Sequence, residues 1–176
     1  MLQRKINAGV SLLCTLLLMA HAISLAVWML SRGSTEKIPG VMAWILFGLM
    51  LAHAFISIDL AISAHAGTEK RKCKNYPKLN AAAIAQRASG VALILFTVLH
   101  VLGTVGILQP PPAVHAVLPP LFFTISLAHA AISTGKAFIT LGIGNVKFIK
   151  TVDVLMKVIC GATLIADVVG FYLYLV

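Results

Sequence analysis

Negative charge is nearly missing from this chain of 176 residues: five acidic side chains stand against fourteen basic ones, and charged residues of both signs make up only 11%. So sparse a polar complement cannot coat a soluble domain of this size. Cysteine is scarce as well. Cys14, Cys73 and Cys160 stand alone, odd in number and outside any C-x-x-C pattern, which argues against a disulfide framework and against iron–sulfur ligation. Cys14 and Cys160 fall inside apolar runs and read as small packing residues. Glycine-rich nucleotide loops, a Ser–His–Asp order and a metalloprotease helix signature are all missing, so the sequence offers no seat for nucleotide chemistry or hydrolysis.

What fills the chain instead is apolar sequence, 60% of residues, with a mean hydropathy of +0.98. Crossing the roughly 30 Å hydrocarbon layer takes about 20 mostly apolar residues. Five such runs are present, at about 7–31, 40–65, 84–108, 117–139 and 151–175. Lipid leaves only helices and closed barrels viable, and these runs are too long and continuous for barrel strands. The expected fold is therefore an all-α integral membrane protein, one domain over residues 1–176, with the first four helices in an up-down bundle. Arg4, Lys5 and the following apolar stretch up to Ala20-His21-Ala22 resemble a secretory signal. The apolar run continues to Leu30, however, and the segment is read as a span.

The basic residues set an orientation. Arg4 and Lys5, the group Lys70, Arg71, Lys72, Lys74, Lys78 and Arg87, and the group Lys136, Lys147, Lys150 and Lys157 all fall on one side. Arg32 and Lys37 alone fall on the other. By the positive-inside rule the N-terminus is expected in the cytoplasm and the C-terminus outside. The charge excess thus records topology, and no nucleic-acid partner is expected.

A repeat stands out within the apolar runs. Leu51-Ala52-His53-Ala54, followed by Ile56-Ser57, returns as Leu127-Ala128-His129-Ala130, followed by Ile132-Ser133. Met19-Ala20-His21-Ala22-Ile23-Ser24 is a shorter echo. A histidine deep in a membrane helix is costly to keep and is by default a functional residue. His21, His53, His100 and His129 give one each to the first four spans, and the fifth has none. His65 and His115 fall at span ends or in a connection and read as ordinary solvated residues.

Depth pairs the four. His21 lies 16 residues beyond Lys5 and His100 lies 13 beyond Arg87, which puts both in the outer half. His53 and His129 lie nearer the middle and the inside. Spans one and three run the same way, as do two and four, so each pair can face across a bundle. Alanine on both sides of His21, His53 and His129 leaves room for something bulky, and Ser57, Thr104 and Ser133 follow their histidines at i+4. This pattern points to two bis-histidine haems stacked across the membrane, a ligation suited to electron transfer. A plainer reading has the histidines bonding one helix to another.

With those residues in view, the chain resembles the single-subunit, five-span dihaem cytochrome b anchor of succinate:menaquinone oxidoreductases and quinol:fumarate reductases. The resemblance rests on the His53 helix, the basic connection with Asn75-Tyr76, the opening Gln86-Arg87-Ala88-Ser89-Gly90 with His100 downstream, and His129 with Gly135 and Thr140-Leu141-Gly142-Ile143. It covers about 120 residues well, spans one and five more loosely. It implies two haems b on His21, His53, His100 and His129, a menaquinone substrate, and flavoprotein and iron–sulfur partner subunits in a prokaryotic cell membrane. Complexes of this kind could associate as homo-oligomers. The chain is shorter than typical members. Relatives also place an acidic residue near the outer start of span two, where this chain has only Glu36.

The remaining polar residues each carry two readings. Glu36 either accepts quinol protons or is a solvated loop residue beside Lys37. Arg87 either binds a haem propionate or snorkels to the interface, and Lys136 is its counterpart on span four. Ser89 is placed with the cofactor by the helix opening it belongs to. Arg32 and Lys37 are the external cations available to an outer haem. Asp59 and Asp153 read as structural or as contacts to partner subunits. Asp167, within the fifth apolar run, either handles protons or bonds a neighbouring helix. The basic loop from Lys70 to Lys78 docks partner subunits or meets anionic lipid. Rival functions are the dihaem anchor of a formate dehydrogenase, hydrogenase or nitrate reductase, and a haem-free small transporter or assembly protein.

Overall fold

A computed structural model describes residues 1–33, 40–67, 77–109 and 111–175, with backbone only for 64–67 and 77–82. It is all-helical: α1 (Leu2–Leu30), α2 (Gly40–Gly67), α3 (Pro77–Thr104), α4 (Pro112–Leu141) and α5 (Val146–Leu175). All five are long and apolar enough to cross a bilayer. At 28 to 30 residues each, a rise of about 1.5 Å per residue carries every helix past the hydrocarbon layer. Hydropathy marks the spans more narrowly than the helices run. α3 begins at Pro77, not near 84, and α4 at Pro112, not near 117, because a helix continues through polar and proline-bearing turns that hydropathy does not count.

Proline explains both the start and a contact of α4. Pro112 occupies the first turn, where a missing N–H costs nothing. Pro119 and Pro120 lie inside the helix. Pro120 has no N–H to offer the carbonyl four residues back, that of Ala116, and the Tyr172 hydroxyl donates to that oxygen from α5 at 3.3 Å. The other end of α4 closes on Gly142 at φ 77°, with Gly142 N–H donating to Ile139 and Ile143 N–H to Phe138. Positive φ makes glycine the natural residue there.

The dense part of the molecule is α1, α4 and α5. Ala22, Leu127, Ala130 and Cys160 form its buried centre, with Leu18, Met19, Met156 and Leu164 packed around them. Water is not driving this packing within lipid; close backbone approach is, which explains the small residues. Gly170 of α5 shows how close: a Cβ there would lie 3.2 Å from Met29 Cβ and 3.4 Å from Leu30 Cγ of α1. α2 packs against α1, and α3 packs against α4.

Side-chain bonds fix the helix directions. Gln3 Nε2 donates to Asp59 Oδ2, joining the start of α1 to the end of α2. Lys136 Nζ donates to Gln86 Oε1 at 2.7 Å, joining the end of α4 to the start of α3. Trp28 and Tyr174 meet in a tilted ring contact, centroids 4.7 Å apart, at the ends of α1 and α5. Asp59 is thus structural at one rim. Asp153 sits against Gly135, where any Cβ would collide with its carboxylate. The rim carrying Arg4, Lys5, Arg87 and Lys136 is called the basic end below, and the rim with Trp28 and Tyr174 the far end.

Candidate functional site

Two cavities follow one another along the helices, and each is lined by one pair of the deep histidines. The first, nearer the basic end, measures about 540 Å³ and is lined by α1, α2, α3 and α4, with His53 and His129 both in its wall. The second measures about 30 Å³, with His21 and His100 in its wall. Leu18 and Ser126 line both and so stand between them.

In the large cavity, His129 is held from both ring nitrogens. Ser89 Oγ donates to the Gln86 carbonyl at 3.1 Å. With its proton committed there, that oxygen accepts from His129 Nδ1–H at 2.8 Å. The assignment leaves the lone pair on Nε2. Ser133, one turn further along α4, reaches Nε2 at 3.4 Å, a long bond that a stronger partner displaces. Gln86 Nε2 reaches Ser133 Oγ at 3.4 Å, and Lys136 Nζ holds the other end of the Gln86 amide. Lys136 to Gln86 to Ser133 to His129 to Ser89 is therefore one connected set, returning to the Gln86 backbone. Gly90 completes the seat: a Cβ there would lie 3.3 Å from His129 Cε1.

His53, on the α2 side, is less supported, since its Nδ1 is buried without a partner. Asn7 Nδ2 donates to Ser57 Oγ at 3.0 Å beside it, tying α1 to α2 in the cavity wall. Arg87 lines the same cavity while remaining exposed. Thr97 adds a buried hydroxyl with no partner. A space of this volume is in the range of small-molecule and cofactor sites, apolar with a few convergent polar groups.

The small cavity is built differently. His100 stacks on Phe122 at 4.9 Å and 22°, which occupies one face of its ring. Among the described residues, none in the wall comes from α2; α5 contributes Asp167 instead. That carboxylate is 0% exposed, and neither of its oxygens has a hydrogen-bond partner.

The predicted residues thus divide. His53 and His129 share one cavity, and His21 and His100 share the other. Arg87 lines the large cavity. Ser89 and Lys136 do not line it; they act on His129 directly and through Gln86 and Ser133. Arg32, at φ 52° just past the end of α1, is exposed and lines neither cavity. Glu36 and Lys37 lie outside the described residues, as does the loop from Lys70 to Lys74 and the side chains of His65 and Lys78. His115 stacks on Phe171 at the far end. Asn7 and Ser126 went unread in the sequence, whereas Gly90 belongs to the α3 opening already singled out there.

No protein-family description, curated protein or solved structure matches this chain.

Proposed function

We propose that this chain is the membrane-anchor cytochrome b subunit of a succinate dehydrogenase or fumarate reductase complex, relaying electrons between menaquinone or menaquinol and iron–sulfur and flavoprotein subunits. The observation that carries the proposal is the large cavity, where His53 and His129 meet in about 540 Å³ with His129 already oriented by Ser89. The donor set suits haem b. Two imidazoles would be its axial ligands, and a bis-histidine haem supplies one-electron transfer without an open iron position.

The chain's own residues have definite roles in that reading. Ser89 fixes the tautomer and ring plane of His129, as outer partners of ligating histidines do. Gly90 leaves the ring its place. Arg87 offers a guanidinium to a carboxylate at the basic end. Gln86, held by Lys136, keeps Ser133 beside the ligating nitrogen. The basic end, expected in the cytoplasm, is where the hydrophilic subunits would dock.

The second cavity measures about 30 Å³ between His21 and His100. The second haem expected on His21 and His100 would require the helices to part. Glu36 keeps its proposed part in quinol deprotonation from the sequence alone.

The test is a dithionite-reduced minus air-oxidised visible spectrum of the purified chain, with the haem counted as pyridine haemochrome. At least one low-spin haem b per chain is expected. No haem in protein made with ample haem supply would overturn the proposal in favour of a haem-free transporter or assembly protein. Co-purified flavoprotein and iron–sulfur subunits separate this reading from the formate dehydrogenase, hydrogenase and nitrate reductase anchors, which could use the same site.

A further inference from the structure

Three sides of the large cavity are closed by helix packing and the fourth is not. Among the described residues α1 packs against α2 and α4, and α4 packs against α3, while α2 and α3 make no comparable packing with each other. Exposure marks the difference. On the α1 and α4 walls, Cys14, Thr15, Ser126 and Ala130 line the cavity and are all buried. On the other two walls, Ile58 lines it while 47% exposed, Val98 while 42% and Val91 while 70%. A residue that faces a cavity and the outside at once stands on its rim.

That rim follows the helices. Leu51, Ala54 and Ile58 on α2 and Val91, Ile94 and Val98 on α3 share the spacing i, i+3, i+7, which keeps each set on one helix face. At about 1.5 Å per residue, each stripe is about 10 Å long. All six residues are apolar and lie within the stretches long and apolar enough to cross a bilayer, so the slot between them faces hydrocarbon.

Neither end of the cavity offers as free a passage. At the basic end Asn7 donates to Ser57 at 3.0 Å between α1 and α2, and Gln86 is bonded to Ser133 at 3.4 Å and to Lys136 at 2.7 Å between α3 and α4. Towards the far end, Leu18 and Ser126 stand between this cavity and the small one. Among the described residues no side-chain hydrogen bond joins α2 to α3, so passage between them breaks none.

We infer that the large cavity opens sideways into the hydrocarbon layer between α2 and α3, and that its ligand enters from lipid through this slot. The ligand is a flat, mainly apolar molecule with carboxylates on one edge, its faces towards His53 and His129 and its charged edge towards Arg87. That this molecule is haem rests on the function proposed above; the opening rests on the cavity walls alone.

The test takes the full-length, haem-free chain in phosphatidylcholine vesicles. With a photoactivatable diazirine on the lipid acyl chain, label is expected at Cys14 and Thr15, inside the cavity, as well as on outward residues such as Phe55. Label confined to outward residues overturns the inference, whether or not the chain binds haem. Hemin dissolved in the same vesicles then tests the route. Ile58→Trp and Val98→Trp should slow uptake and release alike by about tenfold, a barrier change of about 1.4 kcal/mol, with the haem bound at equilibrium unchanged. Phe55→Trp, exposed on α2 and lining neither cavity, should change neither rate. Unchanged uptake in both rim variants overturns the route and leaves the haem reading intact. Faster release does the same, because it marks a damaged site and not a plugged slot. A chain that takes up no hemin fails the haem reading instead, and the lipid label still decides the opening.

Discussion

The two histidine pairs are alike in being matched in depth and very different in the space they face. His53 and His129 face about 540 Å³, while His21 and His100 face about 30 Å³. The difference comes from the neighbouring helices, not from the histidines. Around the larger cavity, α2 and α3 are each packed mainly against one partner, so they stand as walls with space between. Around the smaller one, α5 closes in: Gly170 lets it approach α1, and Tyr172 bonds α4 at the carbonyl freed by Pro120. The helix without a deep histidine thus decides how much room stands beside the pair at its level.

The largest expected effect comes from removing one histidine of each pair. His129→Ala should abolish haem binding in the large cavity, measured as loss of the reduced-minus-oxidised chromophore. His21→Ala should leave it, since His21 does not line that cavity. Equal losses from both variants would break the comparison outright and return the chain to two equivalent sites.

Wedging the tight side is the next strongest perturbation. Gly170→Val adds a branched side chain where even a Cβ would lie 3.2 Å from Met29. Overpacking of this kind costs about 1–3 kcal/mol. A lowered thermal midpoint in detergent is expected, together with an enlarged far cavity that admits added hemin only in this variant. An unchanged midpoint would mean that α1 and α5 have slack at this level, and that their approach does not set the cavity's size.

Much of this was legible from the residues. Five helices long enough to cross a membrane followed from hydropathy, and helix depth alone put His53 with His129 and His21 with His100. The sizes of the two cavities were not legible, because hydropathy is blind to which face of α5 meets α1, and Gly170 looks like any other membrane glycine. Lys136 was read as the span-four counterpart of Arg87, and Ser89 was placed with the cofactor by the helix opening it belongs to. Their partners in the structure are Gln86 and His129. The partner of a side chain is a property of packing between α3 and α4, which no spacing within one helix encodes.

Ser89→Ala tests the bond to His129 with a smaller effect. It leaves His129 Nδ1 without its acceptor while removing nothing from the cavity wall. Loss of an outer partner of a ligating histidine typically weakens metal binding 10–100-fold. Hemin titration of the full chain should show about a tenfold loss, near 1.4 kcal/mol, while Lys136→Met, which acts two bonds away through Gln86, should cost less. The reverse order would place Lys136, not Ser89, against the cofactor.

Tyr172→Phe is the mildest of these changes and isolates the far-end clamp. The ring stays, still edge-on to Phe171, and only the hydroxyl that donates to the Ala116 carbonyl is lost. That oxygen has no helical donor because residue 120 is proline, and it lies near the far end, where interfacial water can take the place of the hydroxyl. The net cost should therefore be about 0.5–1.5 kcal/mol, read as a small drop in thermal midpoint with no change in haem bound between His53 and His129. Restoring an N–H with Pro120→Ala should close the helix bond from within and make the loss of the hydroxyl smaller still, so the double variant should cost less than the sum of the two. Strict additivity would show that Tyr172 and Pro120 are unrelated, and that α5 is held against α4 by packing alone.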